Sequence, residues 1–209
     1  MTNLTNTANS SAYSRRGVSA RTIAVIGVLS AAAFVLQLIE IPVPMLMPAF
    51  IKFDFSDLPA LLGAFALGPV SGILIELIKN LLHTMASGSF AVGELSNFML
   101  GAVFVGVAGL IYNRNRTKKG AVLGAVAGAA AMALFSVPSN YFIVYPVYYN
   151  FMPRETILAA YQAIVPGVKS IFQSLLVFNL PFTFVKGMID VVITFLIYKQ
   201  LSPILKGKQ

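Results

Sequence analysis

Apolar residues fill long blocks of this chain, separated between Ser19 and Leu201 by short polar, glycine or proline breaks. A lipid-embedded backbone must satisfy its own hydrogen bonds, so apolar blocks of about 20 residues predict crossing helices. A closed barrel would instead show two-residue alternation, which these blocks lack. The first block runs from Ser19 to Ile39, and Pro42, Pro44 and Pro48 then open a loop that ends near Asp57. The next blocks are Leu58 to Leu67, Val70 to Thr84, Gly93 to Tyr112, Gly120 to Val144 and Ser174 to Leu201. The short pair around Gly68-Pro69 could form one kinked helix, giving five spans. Six are expected, because Asp57 can cap one helix start and Pro69 suits the first turn of the next. The fold class is therefore an all-α integral membrane protein, a six-transmembrane-helix bundle over residues 19–203. The connection from Pro146 to Gln173 has room for a short surface helix.

Composition agrees with this reading. The chain is 57% hydrophobic and 11% charged, with a mean hydropathy of +0.81. Soluble domains are about a quarter charged. Residues 1–18, rich in Asn, Ser and Thr, lack the apolar surface needed to order and are expected to be a disordered tail; residues 204–209 form a second, basic tail. The block after Arg21 is too long for a signal-peptide core and is read as a mature span. The net charge of +8 gathers at helix ends, a pattern of membrane orientation rather than of nucleic-acid binding. Arg15, Arg16, Arg21, Arg114, Arg116, Lys118, Lys119, Lys199, Lys206 and Lys208 fall on one side of a six-span bundle. That places both termini in the cytoplasm.

Polar residues inside apolar blocks are the informative exceptions, because a charge at bilayer depth costs a few kcal/mol. Glu76 lies one helical turn before Lys79 and Asn80, either as a neutralised pair or as a gating or ligand group. Glu94, with Asn97, opens the fourth block, either favouring a helix start electrostatically or offering an acceptor to a ligand. Asn179, Thr183, Lys186 and Asp190 recur at spacings of 4, 3 and 4 and share one helix face. Lys186 and Asp190 can neutralise each other, yet four polar groups in a row suit a pocket lining. Tyr145, Tyr148 and Tyr149 fit an interfacial belt first and stacking surfaces second. Gly120, Gly124 and Gly128 form a small-residue ladder for close helix packing or partner docking, and Ala20, Ala24, Gly27 and Ala31 form another.

Much common chemistry is absent. There is no cysteine and one histidine, and the sequence holds no nucleophile elbow and no zinc-protease motif. No metal site, cofactor or enzymatic activity is expected, and His83 reads as a helix-end residue. Without a Gly-x-x-x-x-Gly-Lys phosphate loop, the chain cannot be its own conventional ATPase. Uphill transport would draw on an ion gradient or on another polypeptide.

Several segments together resemble the substrate-specificity subunits of bacterial energy-coupling factor vitamin transporters, and among them the riboflavin-binding kind. They are Lys52-Phe53-Asp54-Phe55-Ser56-Asp57-Leu58-Pro59, Glu76 to His83, Gly93-Glu94-Leu95-Ser96-Asn97-Phe98, Asn140-Tyr141 and Leu180 to Gly187. The resemblance implies a six-helix plasma-membrane subunit that takes riboflavin, as cargo rather than cofactor, from the outer side. It also implies a lid in the first extracellular loop, here Ile41 to Ser56, with Met45, Met47, Phe53 and Phe55 as apolar surfaces for flat rings. Ligand contacts carried over by motif fall on Glu94, Asn140, Thr183 and Lys186. Where the resemblance implies Asn, this chain has Thr183, with Asn179 one turn earlier. The implied partners are a transmembrane coupling protein, docking on Ala20, Ala24, Gly27 and Ala31, and two cytoplasmic ATPases. Flavin mononucleotide stays open as a second ligand, as does another vitamin as cargo. The contrasting reading is an autonomous ion-coupled transporter or membrane enzyme moving protons through Glu76, Glu94 and Asp190.

Overall fold

The structure, a computed structural model, describes residues 19–88 and 91–206. The tail expected over residues 1–18 lies outside them, as do 207–209; residues 204–206 continue the last helix instead of starting a tail. Helix α1 (Ala20–Leu38) begins where the Ser19 hydroxyl accepts from the Thr22 N–H at 3.2 Å, which satisfies one orphan donor of the first turn. The proline-rich loop then forms a small antiparallel hairpin. Strands β1 (Ile41–Pro42) and β2 (Lys52–Phe53) pair Ile41 with Phe53 and Pro42 with Lys52. This corrects the purely α-helical expectation. A two-stranded ladder has only edge strands, where proline is tolerated.

Helices α2 (Asp57–Leu67) and α3 (Pro69–Thr84) are separate. Gly68 turns the chain at φ 105°, a conformation open to glycine, and Pro69 starts α3, where its missing N–H is not needed. Asp57 caps nothing; its carboxylate is held by Lys79 and Lys186. Helix α4 (Val92–Arg114) leads into α5 (Lys118–Ser139), which passes through one π-helical turn, Asn140–Val144, into α6 (Tyr145–Tyr148). Pro138 and Pro146 bracket that turn, each deleting a backbone donor of regular winding. After α7 (Arg154–Gln162), helix α8 (Ile171–Ser174) enters a second π turn, Leu175–Asn179, and continues as α9 (Leu180–Lys206).

Among the described residues, four helical stretches are long and apolar enough to cross a membrane: Ala20–Leu38, Val92–Arg114, Lys118–Tyr148 and Ile171–Tyr198. Helix α2, with 11 residues, rises only about 17 Å, well short of a hydrocarbon core of about 30 Å. It sits instead at the centre of the bundle, every residue from Asp57 to Phe65 buried, against α1, α3, α4 and α9.

Glycines bring the helices close. A Cβ on Gly124 would lie 2.7 Å from the Ala108 carbonyl oxygen, and one on Gly128 would lie 2.5 Å from that of Phe104. The α5 ladder therefore packs inside the bundle against α4, the first of its two sequence readings. A second, smaller core joins Met47 of the hairpin loop to Tyr145, Ile157, Tyr161, Ile171 and Leu175. It roofs the bundle end at which α1 and α3 finish and α4 and α9 begin. Arg114, Arg116, Lys118 and Lys119 sit at the opposite end, between α4 and α5.

Candidate ligand-binding site

Beneath the hairpin lies a cavity of about 640 Å³, within the size range of small-molecule sites. Its wall includes Glu94, Asn97, Asn140, Asn179, Thr183 and Lys186, so the structure brings together every ligand contact anticipated from sequence. The four apolar loop residues are placed elsewhere. Met47 is buried in the roof core, Met45 is 88% exposed, and Phe53 packs edge-on against Phe55 and Phe182. The hairpin segment instead presents Phe50, Ile51, Lys52 and Asp54 to the cavity.

Glu94, Asn140 and Asn179 are each held by a neighbour. Glu94, buried in the first turn of α4, meets His83 Nδ1 through Oε1 at 2.7 Å. His83 lies in the last turn of α3, the helix end expected, but is buried on the cavity wall rather than placed at an interface. Asn140 donates through Nδ2 to the Ser136 carbonyl at 2.7 Å and accepts at Oδ1 from the Ser96 hydroxyl at 3.3 Å. Asn179 accepts at Oδ1 from Tyr161 at 2.7 Å. Burial pushes the Tyr161 phenol up, so it keeps the proton it donates. Tyr161 also hydrogen-bonds Tyr145. Tyr145 is fully enclosed, which corrects its reading as an interfacial belt residue.

Charges form an alternating chain below the cavity. Lys186 Nζ lies 3.2 Å from Asp54 Oδ2 and 3.1 Å from Asp57 Oδ2. Asp57 Oδ1 continues to Lys79 at 2.5 Å, and Lys79 to Glu76 at 2.8 Å. The Lys186–Asp190 pair, the alternative to a pocket lining, does not form among the salt bridges of the described residues. Helical side chains lean toward the N-terminus of their helix, which carries Lys186 up to the cavity and away from Asp190. Both Asp190 carboxyl oxygens are buried without a hydrogen-bond partner among the described residues. The Glu76–Lys79 pair does form, and Gly101 makes room for it: a Cβ there would lie 2.2 Å from Glu76 Oε2.

Sequence reading missed Asp54, Asp57, His83, Glu40 and Lys52 as cavity residues. One signal was available. Two lysines in apolar helices need partners, and Asp54 and Asp57 flank the start of the helix that crosses the bundle centre. Of seven acidic residues, Glu40, Asp54, Asp57 and Glu94 line the cavity.

The fold and cavity define a multi-pass membrane protein with a small-molecule-sized chamber at one end. Residues 21–198 match the family described as ECF transporter, substrate-specific component. The chain belongs to that family, whose members are components of energy-coupling factor transporters. It is 34% identical over 186 residues to the riboflavin transporter FmnP of Bacillus subtilis, covering 87% of this chain and 92% of that protein. It is 35% identical over 182 residues to the riboflavin transporter RibU of Staphylococcus aureus, covering 87% and 90%. A solved structure of the S component of a bacterial ECF transporter superposes with a TM-score of 0.71 at 34% identity, covering 89% of this chain and 98% of that one.

Proposed function

We propose that this chain is the riboflavin-binding subunit of an energy-coupling factor transporter, capturing the vitamin outside the cell for ATP-driven uptake. The observation that carries the reading is the convergence of Glu94, Asn140 and Lys186 on one roofed cavity. A flavin's pyrimidine edge offers carbonyl acceptors and one N–H, which suits an ammonium and an amide as donors and a carboxylate as acceptor. The names of the relatives in B. subtilis and S. aureus support the same cargo.

The cavity carries four carboxylates, Glu40, Asp54, Asp57 and Glu94, against two lysines, Lys52 and Lys186, and His83. Both lysines are already paired with carboxylates. An added phosphate would find no free cation among these groups, so riboflavin binds in preference to flavin mononucleotide. The cavity end faces outward, because the Arg114 to Lys119 cluster at the opposite end belongs in the cytoplasm. The chain crosses six times in the plasma membrane, α2 and α3 being short crossings shielded by their neighbours, with both termini cytoplasmic. The hairpin serves as the lid. Ala20, Ala24, Gly27 and Ala31 are all exposed on α1 and meet the transmembrane coupling protein, which works with two cytoplasmic ATPases.

The test is a titration of purified, ligand-stripped protein with riboflavin, followed by quenching of flavin fluorescence. Saturable quenching at one site per chain is expected, with flavin mononucleotide weaker. No quenching, together with uptake by the chain alone in vesicles under an ion gradient without ATP, defeats the reading.

A further inference from the structure

Asp54 stands where the hairpin re-enters the bundle, directly after β2, and is buried on the cavity wall at 5% exposure. Its Oδ1 accepts from the Ser56 backbone N–H at 2.8 Å, which fixes the side chain in the turn leading to α2. Its Oδ2 accepts from Lys186 Nζ at 3.2 Å and from Asn97 Nδ2 at 3.5 Å. One carboxylate therefore ties the hairpin to α9 and to α4 at two of the residues assigned to ligand contact.

We propose that Asp54 is a positioning residue for ligand retention: it sets the Lys186 ammonium at the cavity wall while anchoring the hairpin that roofs the cavity. The inference rests on the riboflavin reading of the site. An ammonium has three N–H donors and no acceptor. One is given to Asp54 at 3.2 Å and Asp57 is ion-paired at 3.1 Å, which leaves at least one N–H for a ligand carbonyl. Asp57 is held by Lys79 through its other oxygen at 2.5 Å and belongs to α2, so of the two carboxylates beside the ammonium only Asp54 links it to the hairpin. A bound ligand and a closed hairpin restrain the same ammonium, so each favours the other, and thermodynamic linkage makes the effect reciprocal. Loss of the Asp54 charge loosens the roof and the donor together.

The experiment is stopped-flow riboflavin fluorescence on purified wild type, Asp54→Asn, Asp54→Glu, Lys186→Ala and the Asp54→Asn/Lys186→Ala double variant, with melting temperatures alongside. Asp54→Asn leaves Lys186 its Asp57 partner, and Asp54→Glu keeps both charges. Riboflavin dissociation from Asp54→Asn is expected to quicken about tenfold or more with association little changed, and from Asp54→Glu by a smaller factor. Within the Lys186→Ala background, Asp54→Asn adds less than about twofold, because the shorter and charged tie of Asp54, 3.2 Å to Lys186 against 3.5 Å to Asn97, is already gone. A role in folding alone would lower the melting temperature and slow or speed both backgrounds equally. Wild-type dissociation rates in a riboflavin-binding Asp54→Asn protein, or full multiplicative effects in the double variant, overturn the proposal. Asp54→Glu decides the matter by the same criterion if Asp54→Asn fails to fold. Failure of the wild type to bind riboflavin defeats the functional reading instead, and this proposal falls with it.

Discussion

At the scale of single residues, the energetics turn on where buried charges find partners. Lys186 sits between Asp54 and Asp57 at the cavity wall, and a charge-assisted hydrogen bond contributes about 1.5–3 kcal/mol. Lys186→Ala removes the donor proposed for the ligand and leaves two carboxylates facing each other across the gap. Riboflavin affinity is expected to fall about tenfold or more, read by equilibrium quenching; an unchanged Kd removes Lys186 from the site. The spacing of Asn179, Thr183 and Lys186 along one helix face was legible in the sequence, because periodicity alone puts them together. Their partners were not. Asp54 and Asp57 lie 132 and 129 positions before Lys186 in number, and His83 meets Glu94 across a helix break. Such contacts depend on how helices stack, which no local pattern records.

At the scale of elements, the breaks were the readable part. Gly68-Pro69 ends α2 and starts α3, and the three prolines of the first loop end α1, as their missing donors and fixed φ require. The hairpin within that loop was not readable, because two-residue strands leave no alternation to detect. Nor were the two π turns, since the prolines near them, Pro138 and Pro146 about the first and Pro181 after the second, predict only a disturbance and not its winding. The packing of α5 on α4 follows directly from the glycine ladder. A methyl group at Gly128 would meet the Phe104 backbone oxygen at 2.5 Å, and backbone cannot swing aside as a side chain can. Gly128→Ala is expected to destabilise the bundle by about 1–3 kcal/mol, seen as a lower melting temperature in detergent. A melting temperature equal to that of wild type would show that the two helices can separate without penalty.

At the scale of the whole molecule, the proposed function divides between two surfaces. The cavity occupies one end, whereas the exposed small residues of α1 lie along the side. No atom outside its own helix surroundings lies within 4 Å of a Cβ built on Gly27, so that side of α1 is open to another backbone. Ala24→Leu is expected to leave riboflavin affinity unchanged and to abolish uptake in cells that supply the coupling protein and ATPases. Normal transport by that variant would remove Ala24 from the docking face. The aromatic stretch from Asn140 to Tyr148 reads like a tolerant connector, but its π turn makes it length-locked. The π turn already holds one residue more than an α turn, so adding another there would rotate everything beyond it by about 100°. Val144, Tyr145 and Tyr148 would then swing off the chamber that Met132, on the other side of the turn, still faces. The same holds for Leu175–Asn179 ahead of Thr183 and Lys186. Both segments should accept changes of residue far more readily than an added residue.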